Sequence, residues 1–340
     1  MKPLRSYKIP FLLFTLLLVF CFLINISLGS VHIPFKQIIT VLFNGETEKQ
    51  AWDYIILNYR LPKAFTAILT GSGLAVSGLL MQTLFRNPLA GPFVLGISSG
   101  ASLGVALLIM GASTLGITIF LSNISFAIAA TAGSFLVLLA VISVSLKVRD
   151  TMAILIIGLM FGSITAAVVS VLSYFSSAEK LQQYIFWSFG SLGNLSWNEL
   201  LLLFLLVCCG IAMSIFSLKS LNSLLLGENY ARSLGTDIRK SRLIIICTTS
   251  ILAGGITAFA GPIAFVGLAV PHLTRQVFNT TNHKILLPAV MLYGAVLMLI
   301  CDTIAQWPAS EFTLPINAIT SIVGAPVVIW LLVRKRKMIF

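Results

Sequence analysis

Apolar stretches recur along the whole chain, near residues 9–28, 64–84, 93–110, 117–146, 152–175, 199–216, 242–260, 263–278, 285–306 and 314–333. A helix needs roughly 20 apolar residues to cross a bilayer, and in lipid the backbone must satisfy its own hydrogen bonds. Stretches of this kind predict an all-α integral membrane protein of about ten transmembrane helices. The third and eighth are short and rich in Gly or Pro, so hydropathy alone places the count to within one. Composition agrees, since 58% of the 340 residues are hydrophobic and 9% charged, against about 25% charged in a soluble domain. A single membrane domain, residues 1–340, accommodates everything.

Charge supplies the orientation. The net charge is +12, but the cations form short clusters between apolar stretches rather than one stripe, which argues against nucleic acid. With both termini cytoplasmic, 17 of the 22 Lys and Arg fall inside and five (Lys36, Lys49, Arg60, Lys63, Lys180) outside, the bias expected of a plasma-membrane protein. The apolar stretch 9–28 exceeds a signal-peptide core and lacks a small-residue cleavage site before Ser30, so it reads as an uncleaved first helix. The five cysteines lie inside apolar stretches without metal-site spacing and read as packing residues, with no disulfide and no metal.

Two connecting segments are too long and polar for simple turns. Residues 29–63 form an extracytoplasmic loop, and residues 217–241 a cytoplasmic one that reads as two short helices broken at Gly227 and Gly235. Within the spans small residues are dense, as in Gly71, Gly73, Ala75 and Gly78, or Gly158, Gly162, Ala166 and Ala167, which suits close helix packing. Asn87, Pro88 and Pro92 mark a bend where helical backbone stops, either a cytoplasmic hinge or an inert re-entrant turn. Gly261, Pro262, Gly267 and Pro271 interrupt the seventh and eighth spans similarly, a faint sign of an inverted repeat. His272 near the inner face reads as a capping or packing residue rather than a proton carrier.

The segments RLPKAFTAILTGSGLAVSGLLMQTLFRNPLAGPFVLGISSGASLG (60–104), YFSSAEKLQQYIFWSFGSLGNLSW (174–197), LLLGENYARSLG (224–235), GPIAFVGLAVPHLTR (261–275) and LPINAITSIVGAPVVIWLL (314–332) closely resemble, in this order, the FecCD-type permeases of ABC importers for iron-siderophores, haem and vitamin B12. The resemblance implies a type II ABC importer permease fold with oppositely oriented halves. It also implies a second permease subunit, identical or paralogous, two cytoplasmic ATP-binding subunits, and an extracytoplasmic substrate-binding protein. Leu226, Gly227, Glu228, Ala231, Arg232, Leu234 and Gly235 match the family's cytoplasmic ATPase-coupling helices. There Leu226, Ala231 and Leu234 supply apolar anchors, and Glu228 and Arg232, spaced i,i+4, pair with each other or with the ATPase.

On the outer side, the resemblance gives Arg60 and Lys63 the role of meeting acidic residues of the binding protein; snorkelling to lipid headgroups is the competing use. Two positions depart from the family pattern. Gln306 stands four residues after Asp302 where a third basic residue is common, and Asn317 replaces a glycine after Leu314, Pro315 and Ile316. Asp302 itself reads as a hydrogen-bonded structural carboxylate. Ser163, Thr165 and Ser170 either line the passage or serve helix packing.

No G-x-x-x-x-G-K-[ST] loop occurs in the chain, so energy comes from a partner or an ion gradient. A secondary transporter coupled to ions keeps ionisable groups in mid-membrane, and these spans are nearly devoid of them. No catalytic constellation is present in the sequence, and no cofactor is implied. The expectation is a permease subunit importing an iron-siderophore, haem or corrinoid chelate.

Overall fold

The computed structural model describes residues 7–43, 45, 47–111, 122–145, 147–148, 151–306 and 313–333. Lys2, Arg5, Arg149 and residues 334–337 of the basic set, and the start of the fourth apolar stretch, lie outside the described residues. Among the described residues, helices occupy each predicted stretch. They are α1 (Lys8–Ser27), α2 (Leu61–Phe85), α3 (Ile97–Ala106), α4 (Asn123–Ser145), α5 (Thr151–Tyr174), α6 (Trp197–Phe216), α7 (Ile238–Ala260), α8 (Val266–Phe278), α9 (His283–Ala305) and α10 (Ile316–Val333). Seven are long and apolar enough to cross a membrane, while α3, α8 and α10 are shorter.

α2 is the axis of the bundle, 83% buried along its apolar stretch where α1 and α5 are 17% buried. Its small residues explain the position. A Cβ at Gly71 would overlap the Gly294 carbonyl of α9, one at Gly78 the Gly267 carbonyl of α8, and one at Gly73 would stand 2.6 Å from Ile256 Cδ1 of α7. Ser72 Oγ also donates to the Met291 carbonyl of α9 at 3.0 Å. Lipid provides no hydrophobic force between helices, so this backbone-to-backbone contact is what holds them. α3 packs on α4 by the same device, with Gly100 and Gly104 against Gly133 and Ala129. α1 belongs to the bundle as well. Phe11 lies 5.0 Å, ring to ring, from Phe278 of α8, Phe14 lies 4.9 Å from Tyr293 of α9, and Asn25 donates to Asp302 of α9.

The helices from α2 to α5 and from α7 to α10 follow one plan: a long helix, a break, a short helix and two further helices. Both breaks contain the same tripeptide, Ala90-Gly91-Pro92 and Ala260-Gly261-Pro262. The first plan begins at the Lys63 end of the bundle and the second at the Arg242 end, so the halves run in opposite senses. The breaks converge in the interior, where a Cβ on Gly267 would lie 3.0 Å from Pro92 Cδ. Between them is a largely apolar cavity of about 290 Å³ bordered by Leu74, Phe93, Phe265 and Asn317.

Freed backbone groups at the breaks are taken up by side chains, as a lipid environment demands. Asn317 Oδ1 accepts the Ala264 amide at 3.1 Å, so the residue that departs from the family's glycine caps the second break. Gln82 Nε2 donates to the Leu268 carbonyl at 3.0 Å beside Pro271, and Gln82 Oε1 accepts from Arg275 at 2.6 Å.

Candidate functional site

The face that carries Arg86, the 217–241 segment and Arg242 is here the basic face. Its segment folds into two short helices, Leu218–Leu224 and Glu228–Ser233, separated by Gly227 at φ 102° and closed by Gly235 at φ 78°. These dihedrals favour glycine over any L residue with a side chain. Asp237 then caps α7 by accepting the Lys240 amide at 3.1 Å.

Leu226, Tyr230 and Leu234 are 60%, 55% and 52% exposed on this face; Tyr230 and Leu234, four residues apart, share one side of the short helix, and Leu226 stands in the turn just before Gly227. Ala231, expected to share that anchor, is instead fully buried against its own subunit. A methyl group is small enough to bring the helix down onto the bundle, so Ala231 seats the element rather than presenting it. Glu228 finds its cation in Arg242 of α7, with Oε1 and Nη2 3.2 Å apart, while Arg232 is exposed. Arg242 also donates to the Val148 carbonyl between α4 and α5 at 3.2 Å. One guanidinium therefore joins the segment, α7 and the α4–α5 turn.

Beside the segment, α2 stops by a left-handed cap. Arg86 takes φ 46° and the Asn87 amide reaches back to the Gln82 carbonyl at 3.2 Å, a closure that normally uses glycine. Asn87 Oδ1 accepts the Leu89 amide at 2.9 Å, and Pro92 opens a tight turn, Pro92–Leu95, that ends at Gly96 with φ 70°. The predicted bend at Asn87, Pro88 and Pro92 is thus a defined turn with its own hydrogen bonds.

On the opposite face Arg60 and Lys63, expected to meet acidic residues of a binding protein or to snorkel, are both engaged within the subunit. Arg60 is 8% exposed and donates to the carbonyls of Ile26 at 2.9 Å, Ser27 at 3.1 Å and Val31, fastening the end of α1 to the start of α2. Lys63 Nζ lies 3.2 Å from Asp302 Oδ1, and the other carboxylate oxygen accepts from Asn25 at 2.8 Å and Gln306 at 2.7 Å. A chain in water keeps lysine at a helix end solvated; here a buried carboxylate on α9 recruits it, because an isolated charge in this setting is costly. Gln306 completes the Asp302 shell in the place of a third cation. A hollow of about 320 Å³ lined by Ser30, Tyr59, Arg60, Lys63 and Gln306 opens above this cluster.

On α5 the three hydroxyls bond within their own helix: Ser163 to Leu159 at 3.2 Å, Thr165 to Gly162 at 2.8 Å and Ser170 to Ala166 at 3.0 Å. Ser163 and Ser170 share an exposed side, seven residues being close to two turns, whereas Thr165 is 4% exposed and faces inward. The structure does not bring the three together.

Residues passed over in the sequence carry much of the polar architecture: Asn25, Gln82, Thr83, Asn222, Arg242 and His283. A polar side chain inside an apolar span is costly unless partnered. Asn25, Gln82 and Thr83 carried that signal, though not the identity of their partners.

A helical bundle of this topology, with a short amphipathic segment presented on one face, defines the class: a membrane permease of an importer. The chain belongs to the FecCD transport family, whose pattern it matches over residues 17–334. It is 36% identical to the hemin transport system permease HmuU of Yersinia pestis, over 95% of this chain and 94% of that one. Identity is 35% to the vitamin B12 import system permease BtuC of Klebsiella pneumoniae, covering 95% and 92%, and 35% to the molybdate import system permease MolB of Haemophilus influenzae, covering 96% and 95%. A solved structure of a metal-chelate type ABC transporter in an inward-facing conformation superposes with a TM-score of 0.83 at 32% identity, covering 97% of this chain and all of that one. The fold is that of a type II ABC importer permease.

Proposed function

We propose that the chain is the translocating subunit of an ATP-driven importer, paired with a second permease and driven by two separate cytoplasmic ATP-binding subunits. The observation that carries the reading is the outward exposure of Leu226, Tyr230 and Leu234 on a segment braced by Glu228–Arg242. A rigid short helix with apolar side chains held outward suits insertion into a groove of a partner. Gly227 and Gly235 permit its turns, Ala231 seats it, and Arg232 lies at its rim. The Asn87–Pro92 turn beside it serves as the cytoplasmic hinge, and both termini are cytoplasmic.

The cargo is a metal chelate, haem or corrinoid handed over by an extracytoplasmic binding protein; relatives of nearly equal identity named for hemin, vitamin B12 and molybdate bracket the choice. The binding protein docks over the hollow at Lys63, with Arg60 holding its rim. Ser163 and Ser170 of α5 face the passage between the two permeases.

The test of the coupling role is Leu234→Asp, followed by membrane abundance and ATPase co-purification, with Lys49→Ala as control. Normal insertion with loss of the ATPase supports the reading, and normal insertion with full retention overturns it. Uptake of labelled hemin, cyanocobalamin and molybdate into cells carrying the complete transporter assigns the cargo.

A further inference from the structure

His283 begins α9 on the basic face and is fully buried, as is Thr83 in the last turn of α2. Its main-chain amide and its Nδ1 both lie 2.9 Å from Asn222 Oδ1, and its Nε2 lies 2.8 Å from Thr83 Oγ1. A carboxamide oxygen only accepts, so Nδ1 carries the proton and Nε2 is left as an acceptor for the Thr83 hydroxyl. The hydroxyl has one proton, and the Leu79 carbonyl 2.8 Å away also accepts it, so Thr83 divides that proton between its own helix and the ring. Asn222 is fixed a second time, its amide donating to Asn282 Oδ1 at 3.3 Å. One imidazole thus joins three elements: the Leu218–Leu224 helix, the start of α9 and the end of α2.

The position of this joint matters more than its strength. Asn222 lies just ahead of the Gly227 turn that leads into the short helix of Tyr230 and Leu234, and Thr83 lies one turn ahead of Asn87. The covalent route out of the segment passes through Gly227 and Gly235, both with glycine-favoured dihedrals, and the Arg86 guanidinium that overlies Gly227 is the end of a flexible side chain. A planar ring hydrogen-bonded at both edges and fully enclosed is a stiff connection from the Asn222 helix to α2, as the Glu228–Arg242 pair is from the segment to α7.

We infer that His283 is a positioning residue that transmits displacement of the coupling segment, through Asn222 and Thr83, to the end of α2 and so to the Asn87–Pro92 turn. The inference rests on the coupling role proposed above. It makes Asn222–His283–Thr83 a series: cutting either bond uncouples the turn from the segment without releasing the partner that the segment holds.

The test uses the complete transporter with its ATPase, carrying Leu89→Cys in the turn on a background free of the native cysteines, and reads maleimide labelling with and without ATP plus vanadate. With the joint intact, nucleotide changes the labelling rate by about fivefold or more, the lower end of ordinary coupling between sites. Thr83→Val keeps the side-chain shape and removes only the hydroxyl; Asn222→Leu cuts the other bond at a half-buried position. Each abolishes the nucleotide response while membrane abundance and ATPase co-purification stay parental, and the double variant is no worse than either single, as a series requires. A nucleotide response that survives in the variants, independent additive losses, or a parental transporter whose turn never responds overturns the inference. Loss of response in step with loss of abundance assigns His283 to folding alone and overturns it equally. Leu234→Asp separates the two readings, because failure of the coupling proposal leaves the ATPase bound in that variant, whatever the joint does.

Discussion

The start of α2 and the segment beyond its far end treat their functional-looking residues in opposite ways. Around Lys63, the cations that a sequence offers to a partner are engaged at home: Arg60 on three carbonyls and Lys63 on Asp302. Around Leu234 the reverse holds. Charges there brace the segment from behind, through Glu228 and Arg242, and the apolar side chains stand outward at 52–60% exposure. Where a carboxylate is buried, an unpaired charge costs several kcal/mol and polarity is drawn into the subunit; on the opposite face, apolar side chains left outside are what a partner has to bind. Residue type alone is a poor guide to interface, and unsatisfied surface is a better one.

The largest effect that would break the comparison is at the outer clamp. Lys63→Met leaves Asp302 buried without its cation and should cost about 4 kcal/mol of stability, the usual result of removing one member of a buried pair, seen as a lowered Tm in detergent. Lys63→Met with Asp302→Asn should recover most of the loss, since the neutral amide still meets Asn25 and Gln306. An unchanged Tm in the single variant would mean that Lys63 is free for docking after all.

At the other end, Leu234→Asp should leave the Tm parental and weaken ATPase retention about a hundredfold, roughly 2.7 kcal/mol. Glu228→Gln is smaller: the pair is one-third open on the glutamate side, so a loss of about 1 kcal/mol or less is expected, with partial loosening of the segment in hydrogen exchange. Smallest in energy, and decisive for which face is which, are Lys180→Cys and Arg232→Cys. Arg232 is exposed on its short helix and Lys180 half-buried in the first turn of the helix Ala178–Ser188, so little change in stability is expected. The first should react with an impermeant maleimide from outside intact cells and the second only after lysis; the reverse pattern inverts the assignment of the two faces.

Much of this molecule was legible before any coordinates. Hydropathy and length mark the stretches that become α1 to α10, because crossing lipid constrains every residue of a span and leaves the mark in consecutive sequence. Gly-Pro pairs at 91–92 and 261–262 mark the breaks for an equally local reason, the missing amide and the restricted residue before it. The two short helices of the 217–241 segment follow from Gly227 and Gly235, whose dihedrals a side chain opposes. Partnerships are another matter. Lys63 meets Asp302 and Thr83 meets His283 across more than half the chain, and Glu228 chooses Arg242 rather than declaring itself through Arg232 at the helical spacing. Ala231 turns inward while Leu234 turns out, although both are apolar neighbours on one short helix. Periodicity fixes which residues share an element, since that depends on the backbone's own repeat. Which of them meet solvent, lipid or a distant side chain depends on how the elements pack, and only the tertiary structure decides it.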